Sequence, residues 1–389
     1  MNIEQLRGNW NYPTPIRFGR GRIVELAEVC KSAGISRPLM VTDPGLAGLN
    51  MVANILSRNE SAGLPTGVFS GVQANPVSAN VDAGLEVYRN GGHDGVIALG
   101  GGSPLDVAKA IALMLPQSRP IWEFEDIGDN FKRAMVEGIA PVVAVPTTAG
   151  TGSEVGRCSV ITDEATHTKK IIFHPKMLPI TAILDPELTV GMSPKMTAGT
   201  GFDALAHNLE AYCAPTCHPM GEGIAVEGTR LCHQYLGRAY RDGSDLVARA
   251  QMLAAATMGA TAFQKGLGAV HALSHPIGAI YGTHHGLTNA VFLPYVLQFN
   301  RPAIEPKITR LAAYMGFADT RFEAFLEWIL ELRQQLDIPH TLTDLGIGDE
   351  RFEEMSEMAA VDPPAETNPV PVGKADLLGL YQMALSGSL

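Results

Sequence analysis

Over the first half of the chain, short apolar runs alternate with amphipathic stretches. RPLMVTD (37–43), GLPTGVFSGV (63–72), DGVIAL (94–99) and PVVAVP (141–146) are each short enough for a buried strand, and each ends in turn residues. Helical patterning such as ILSRN follows the first of them. That alternation predicts a parallel sheet covered by helices. From Pro194 onward Leu, Ala and Met recur at threes and fours, and no strand is expected to the C-terminus. The change falls near DPELTVG, which predicts an α/β domain over 1–188 and an all-helical domain over 189–389. The Pro-rich stretch VDPPAETNPVPVG (361–373) is expected to be a loop before a last helix, ADLLGLYQMAL.

Chemistry concentrates in GLGAVHALSHPIGAIYGTHHGLTN (266–289). Four of the chain's eleven histidines, His271, His275, His284 and His285, fall within fifteen consecutive positions there. His271 and His275 are four apart, so on a helix both imidazoles share one face. Pro276 and Gly278 are expected to disturb that helix, and a turn through Gly282 lets His284 or His285 come back towards the first pair. In TAGTGFDALAHNLEAYCA, Asp203 and His207 are also four apart within a helical pattern. A carboxylate and an imidazole on one helix face, with two imidazoles from elsewhere, make a four-ligand N/O site suited to iron(II) or zinc.

The earlier half carries a different signal. DGVIALGGGSPLDVAKAIALML is a strand, three glycines and a helix, with Ser103 placed to cap the helix and Pro104 to open it. Free backbone N–H groups and the helix dipole make an anion site there, and a pyrophosphate fits it. The order is not GxGxxG, and a tight structural turn is the alternative. VPTTAGTGSE (145–154) adds the hydroxyls of Thr147, Thr148, Thr151 and Ser153 at another strand end. Asp43 either accepts from an adenosine ribose or is a turn aspartate before Pro44.

Composition narrows the partners. Hydrophobic residues make up 46% and charged residues 18% of 389, the balance of a packed globular protein. A net charge of −11 without a basic stripe argues against nucleic acid and anionic lipid. No apolar run is long enough to span a bilayer, and MNIEQLRGNW lacks the pattern of a secretory leader, so a cytoplasmic protein is expected. Cys30, Cys158, Cys213, Cys217 and Cys232 are odd in number and lack CxxC spacing, which argues against a disulfide framework or a structural zinc.

The motifs GGGSPLDVAKA, VPTTAGTGSE, KKIIF, AILDPEL, GFDALAHNLEAY, GAVHALSHPIGAIYGTHHG and the late Asn368-Pro369 occur in order. Together they resemble the iron-containing (group III) alcohol dehydrogenases of dehydroquinate synthase-like fold. The resemblance implies an α/β dinucleotide-binding domain followed by an all-α metal-binding domain. It implies Asp203, His207, His271 and His285 as metal ligands and His275 as a non-ligand histidine near the reacting carbon. It also implies that Gly101, Gly102 and Ser103 hold the pyrophosphate with Asp106 nearby, that Thr147, Thr148, Thr151 and Ser153 line the phosphate and nicotinamide side, and that Asn75 and Lys169 touch the cofactor. Asp43 matches the position favouring NAD over NADP.

The expected activity is hydride transfer between a small alcohol and NAD, with iron(II) as metal and zinc as the other candidate, in a homodimer or higher homo-oligomer. A metal- and NAD-dependent lyase of the dehydroquinate synthase type is the rival. AFQKGLG, one residue shorter than the usual run before the first histidine of the cluster, departs from the family pattern at one wall of the expected pocket.

Overall fold

The structure is a computed structural model and describes residues 14–166 and 168–389. The opening MNIEQLRGNW, on which the reading of no leader rests, lies outside the described residues. The described chain forms two compact units, residues 14–148 with 152–191, and residues 149–151 with 192–389.

The first unit is built on a parallel six-stranded sheet. Its strands are β1 (Ile16–Phe18), β2 (Pro38–Val41), β3 (Gly67–Phe69), β4 (Gly95–Gly100), β5 (Val142–Pro146) and, after the antiparallel hairpin β6 (Cys158–Asp163) and β7 (Thr168–Phe173), β8 (Thr181–Leu184). They lie in the order β1-β8-β5-β4-β2-β3. Every residue of β2, β4 and β5 is buried, as expected of parallel strands covered on both faces. One face, through Met40, Ile97, Leu99, Val143, Val145 and Ile183, packs on Leu26, Val29, Val52 and Ile55. Those four belong to α1 (Leu26–Ser32) and α3 (Asn50–Ser61), with the single turn α2 (Pro44–Ala47) between them. The helices α4 (Ser78–Gly91) and α5 (Gly102–Met114) complete the unit, and α5 is buried from Pro104 to Met114. Fully burying a Val, Leu or Ile side chain is worth about 1.5–3 kcal/mol. An exposed ion pair such as Arg20–Glu187 is worth roughly 0–1 kcal/mol, so the apolar layers carry the stability.

Runs of buried aliphatics predict β2, β3, β4 and β5. The pattern does not predict β1, β8 or the hairpin. β1 and β8 are three and four residues long, too short for a period, and β6 and β7 mix polar with apolar positions.

The second unit is helical, and no strand occurs in it among the described residues. Its helices are α6 (Pro194–Cys213), α7 (Pro219–Arg241), α8 (Leu246–Ala262), α9 (Ala269–Tyr281), α10 (His285–Met315), α11 (Phe322–Gln335), α12 (Phe352–Ala360), α13 (Pro363–Glu366) and α14 (Lys374–Ser386). α6 starts at Ser193, whose hydroxyl accepts from Met196 N–H, with Pro194 in its first turn. It is buried from Thr197 to Cys213 and therefore runs through the middle of the unit. Where α10 crosses it, glycine faces glycine: a Cβ on Gly286 would lie 2.0 Å from Gly199 O and 3.1 Å from Asp203 Cβ. Only with hydrogen there do the two backbones approach so closely.

Two expectations need correction here. Pro276 does not break the helix of the histidine cluster. α9 runs through it and ends at Gly282, which caps the helix at φ 65; Pro276 removes one N–H from the ladder, and the remaining bonds carry the turn. The stretch 361–373 is more than a connecting loop, since it contains α13 and reaches back to α9.

Candidate functional site

Asp203 and His207 sit a turn apart on α6, both buried. α9 brings in His271, and α10 opens with His285. Asp203 Oδ1 faces Nε2 of His207 at 3.8 Å, of His271 at 3.8 Å and of His285 at 3.5 Å. Those separations exceed hydrogen-bond length. Ligand atoms around one tetrahedral ion with bonds near 2.0–2.1 Å stand about 3.4 Å apart, which is close to this spacing.

Two of the three ring orientations, those of His271 and His285, are set from behind. His271 Nδ1 meets Glu210 Oε2 at 2.5 Å, while Glu210 Oε1 takes the Val270 N–H at 2.7 Å. His285 Nδ1 faces Ser274 Oγ at 3.4 Å. Nε2 of both rings is thereby turned to Asp203, the arrangement in which an outer partner fixes the tautomer of a ligating histidine. Glu210 carries a sequence signal of its own: it follows His207 by three positions, on the same face of a buried helix.

Burial alone would raise the Asp203 carboxyl, but the imidazoles of His207, His285 and His271 outweigh it and hold the group well below the usual carboxylate range. Burial pushes His207 down to about 4. It acts to lower His271 as well, yet the Glu210 and Asp203 carboxylates drive that imidazole up to about 9. An ionised carboxylate in such a buried setting costs several kcal/mol unless a cation compensates it. The buried N/O set therefore fits a divalent ion of the iron or zinc kind. Among the described residues, Asp203, His207 and His271 are the group of metal-ligating side chains close enough to share an ion, with His285 beside them.

His275 is held differently. Its Nδ1 lies 2.9 Å from Asp362 Oδ2, and its ring stacks on His285 with centroids 5.4 Å apart. Asp362 comes from the stretch expected to be a loop, as does Asn368, whose Oδ1 accepts the Ala269 N–H at the start of α9. His284 is the N-cap of α10, its Nδ1 accepting from Leu287 N–H, so His285 is the histidine that faces Asp203. His218 likewise caps α7. In the shortened AFQKGLG run, Phe263 packs on the His207 ring at 5.2 Å.

In the sheet unit, chain order reverses between β2 and β4: β3 lies outward of β2, whereas β5 and β8 extend the sheet beyond β4. Open α/β sheets bind ligands at the carboxyl ends of strands beside such a reversal. Gly100 (φ 146), Gly101 and Gly102 close β4 there, and Asp43 follows β2. Gly101 is the N-cap of α5 and Ser103 makes no cap, a correction to the expected start; the helix begins two residues sooner, at Gly102, and the glycines leave its first N–H groups uncovered. A Cβ on Gly101 would meet Thr148 Oγ1 at 3.3 Å, and Thr147 N–H donates to Gly100 O.

Asp43 accepts from Leu46 N–H as the N-cap of α2. Asp106 is tied to Ser153 Oγ at 2.5 Å, to Val160 N–H at 2.9 Å and to buried Lys109 at 3.3 Å. Asn75 adopts φ 52, and its turn reaches the hairpin through Thr162 N–H to Pro76 O, next to Lys169 in the register. Thr151 sits on the segment 149–151 that belongs to the helical unit.

Residues 13–186 match the family model "Iron-containing alcohol dehydrogenase", and residues 197–385 match "Fe-containing alcohol dehydrogenase family, C-terminal". The chain is 37% identical to the 4-hydroxybutyrate dehydrogenase of Cupriavidus necator, over 96% of this chain and 99% of that one. It is similar to a crystal structure of 1,3-propanediol oxidoreductase with a TM-score of 0.92 at 34% identity, covering 97% and 100% of the two chains. The alcohol dehydrogenase from Oenococcus oeni gives a TM-score of 0.92 at 31% identity, again over 97% and 100%.

Proposed function

Because the chain belongs to the iron-containing alcohol dehydrogenase family, as an NAD-dependent oxidoreductase acting on alcohols, we propose that Asp203, His207, His271 and His285 hold its metal ion and that His275 moves the proton of a short alcohol substrate. The observation that carries this reading is Asp203 Oδ1 facing three histidine Nε2 atoms at 3.5–3.8 Å, with Asp203, His207 and His271 buried and His285 partly exposed. The lyase alternative drops out, since the relatives are dehydrogenases.

When bound, a divalent ion, iron(II) by family and zinc as the other metal these donors accept, supplies Lewis-acid polarisation of the substrate oxygen, and NAD accepts the hydride. The chain's own groups do the rest. Glu210 and Ser274 keep the rings of His271 and His285 turned to Asp203. Asp362 takes Nδ1 of His275, which leaves Nε2 to accept the hydroxyl proton in oxidation and return it in reduction. Gly101, Gly102 and Ser103 offer N–H groups at the start of α5 to the pyrophosphate, with the hydroxyls of Thr147, Thr148, Thr151 and Ser153, and with Asn75, Asp106 and Lys169, as further cofactor-side residues. The carboxylate of Asp43 disfavours a 2′-phosphate and so selects NAD.

The relatives' names, 4-hydroxybutyrate and 1,3-propanediol dehydrogenase, support a short primary alcohol as substrate. No helix among the described residues is long and apolar enough to cross a membrane, which is compatible with a cytoplasmic enzyme. The edge strand β1 leaves Ile16 and Phe18 exposed, a surface suited to a second copy in a homodimer.

Initial rates of the purified, metal-defined protein with NAD and a panel of short alcohols, diols and hydroxy acids test the reading. NADH formation that depends on added metal and disappears in His271→Ala is expected. Metal-independent turnover would refute it.

A further inference from the structure

Three helices each send a pair of side chains four positions apart towards one point: Asp203 and His207 from α6, His271 and His275 from α9, and His285 and Asn289 from α10. Asn289 has no part in the reaction as argued above. Its side chain is fully buried. Nδ2 donates to Asp203 Oδ1 at 2.9 Å and lies 3.1 Å from His285 Nε2 and 3.3 Å from His271 Nε2. The amide orientation follows from Asp203 Oδ1, which can only accept a hydrogen bond. At its other end, Oδ1 is buried without a hydrogen-bond partner. An unpaired buried carbonyl is unfavourable, and a leucine, with the same branching and heavy-atom count, would avoid that cost. What keeps asparagine here is therefore the work of its Nδ2 end.

We propose that Asn289 is a positioning residue of the metal centre, holding the Asp203 carboxylate towards the histidine Nε2 atoms and drawing charge from the oxygen that ligates. The inference rests on the four-ligand reading. A donor on a ligating oxygen leaves the ion a stronger Lewis acid, and loss of such an outer partner typically lowers metal affinity about 10- to 100-fold. α10 supplies both the ligand His285 and the donor Asn289, because the two share one face of it, while Asp203 comes from α6.

Cobalt(II), whose visible spectrum reports ligand geometry, provides the test. The parent, Asn289→Leu, Asn289→Ala and Asp203→Ala proteins are stripped, reloaded with cobalt(II) and titrated against a chromophoric chelator. Both Asn289 variants should bind cobalt about 10- to 100-fold more weakly and show shifted visible bands, while NADH binding and the melting temperature of the cobalt-free protein match the parent. Parent-like affinity and spectrum in Asn289→Leu overturn the inference, leaving the four-ligand reading intact if Asp203→Ala has lost cobalt. Parent-like cobalt binding by Asp203→Ala overturns the four-ligand reading itself. If Asn289→Ala does not fold, Asn289→Leu decides, and loss of the cobalt-free fold in both overturns the inference in favour of a packing role.

Discussion

His275 Nδ1 and Asp362 Oδ2 stand 2.9 Å apart although 87 residues separate them in the chain. A carboxylate in that place fixes which ring nitrogen carries hydrogen and aims the other. His275→Ala should keep its metal and bind NADH normally while losing on the order of 10²- to 10⁴-fold in kcat. Asp362→Asn should lower kcat less, with KM for the alcohol nearly unchanged. Steady-state rates paired with metal analysis check both; a His275→Ala protein that loses metal, or turns over at the parent rate across the pH range, would remove the assigned role.

The ligand assignment makes a coupled prediction. Single changes of Asp203, His207, His271 and His285 to Ala should lower metal content and activity together, and chelation of the parent should abolish turnover until iron(II) or zinc is restored. Full metal occupancy in His207→Ala or His271→Ala would dismiss the site as drawn.

Metal affinity should depend on pH with a definite sign. The Glu210 and Asp203 carboxylates drive His271 up to about 9, so below that pH the imidazole holds a proton that an incoming ion must displace. Proton release on binding means that affinity rises with pH, by about tenfold per unit up to roughly pH 9, and then levels off. Chelator competition at pH 6, 7 and 8 measures the slope. A flat or falling profile contradicts it.

Asp43 allows the charge and the cap to be separated. Its side chain caps α2, and replacing a capping residue by Ala costs about 0.5–2 kcal/mol. Asp43→Ser keeps a capping oxygen and removes the charge. It should narrow the preference for NAD over NADP with little change in melting temperature, whereas an unchanged ratio of kcat/KM values would leave Asp43 as a turn residue alone.

The glycine crossing offers a fifth test. Gly286→Ala would place a methyl 2.0 Å from Gly199 O, and overpacking of this kind costs about 1–3 kcal/mol or more. Both the melting temperature and the metal affinity should fall. A parent-like protein on both measures would mean that the helices separate without consequence.

Much of this was legible in the sequence, for reasons that differ from residue to residue. The strands β2, β4 and β5 announce themselves because burial on both faces demands unbroken aliphatic runs. The pairs Asp203/His207 and His271/His275 do so because an interval of four marks one helix face. Glu210, Asn289 and Asp362 did not stand out, since their importance lies in partners 61, 86 and 87 residues away. A polar residue on an apolar helix is only a hint until the fold names its neighbour. Pro276 points the other way, since a missing N–H predicts a break, whereas the bonds around it sustain α9.

The contact between Gly199 and Gly286 makes the gap between the two halves of the ligand set a dimension of the main chain rather than of any side chain. Donors can then be exchanged on a chassis of constant width. Substituting a carboxylate or a thiolate for one histidine would offer a harder or softer cage to the same opening, so metal preference is open to rewriting by a few codons. The chassis has no comparable freedom, because a single added methyl at its crossing alters the width for every cage built on it.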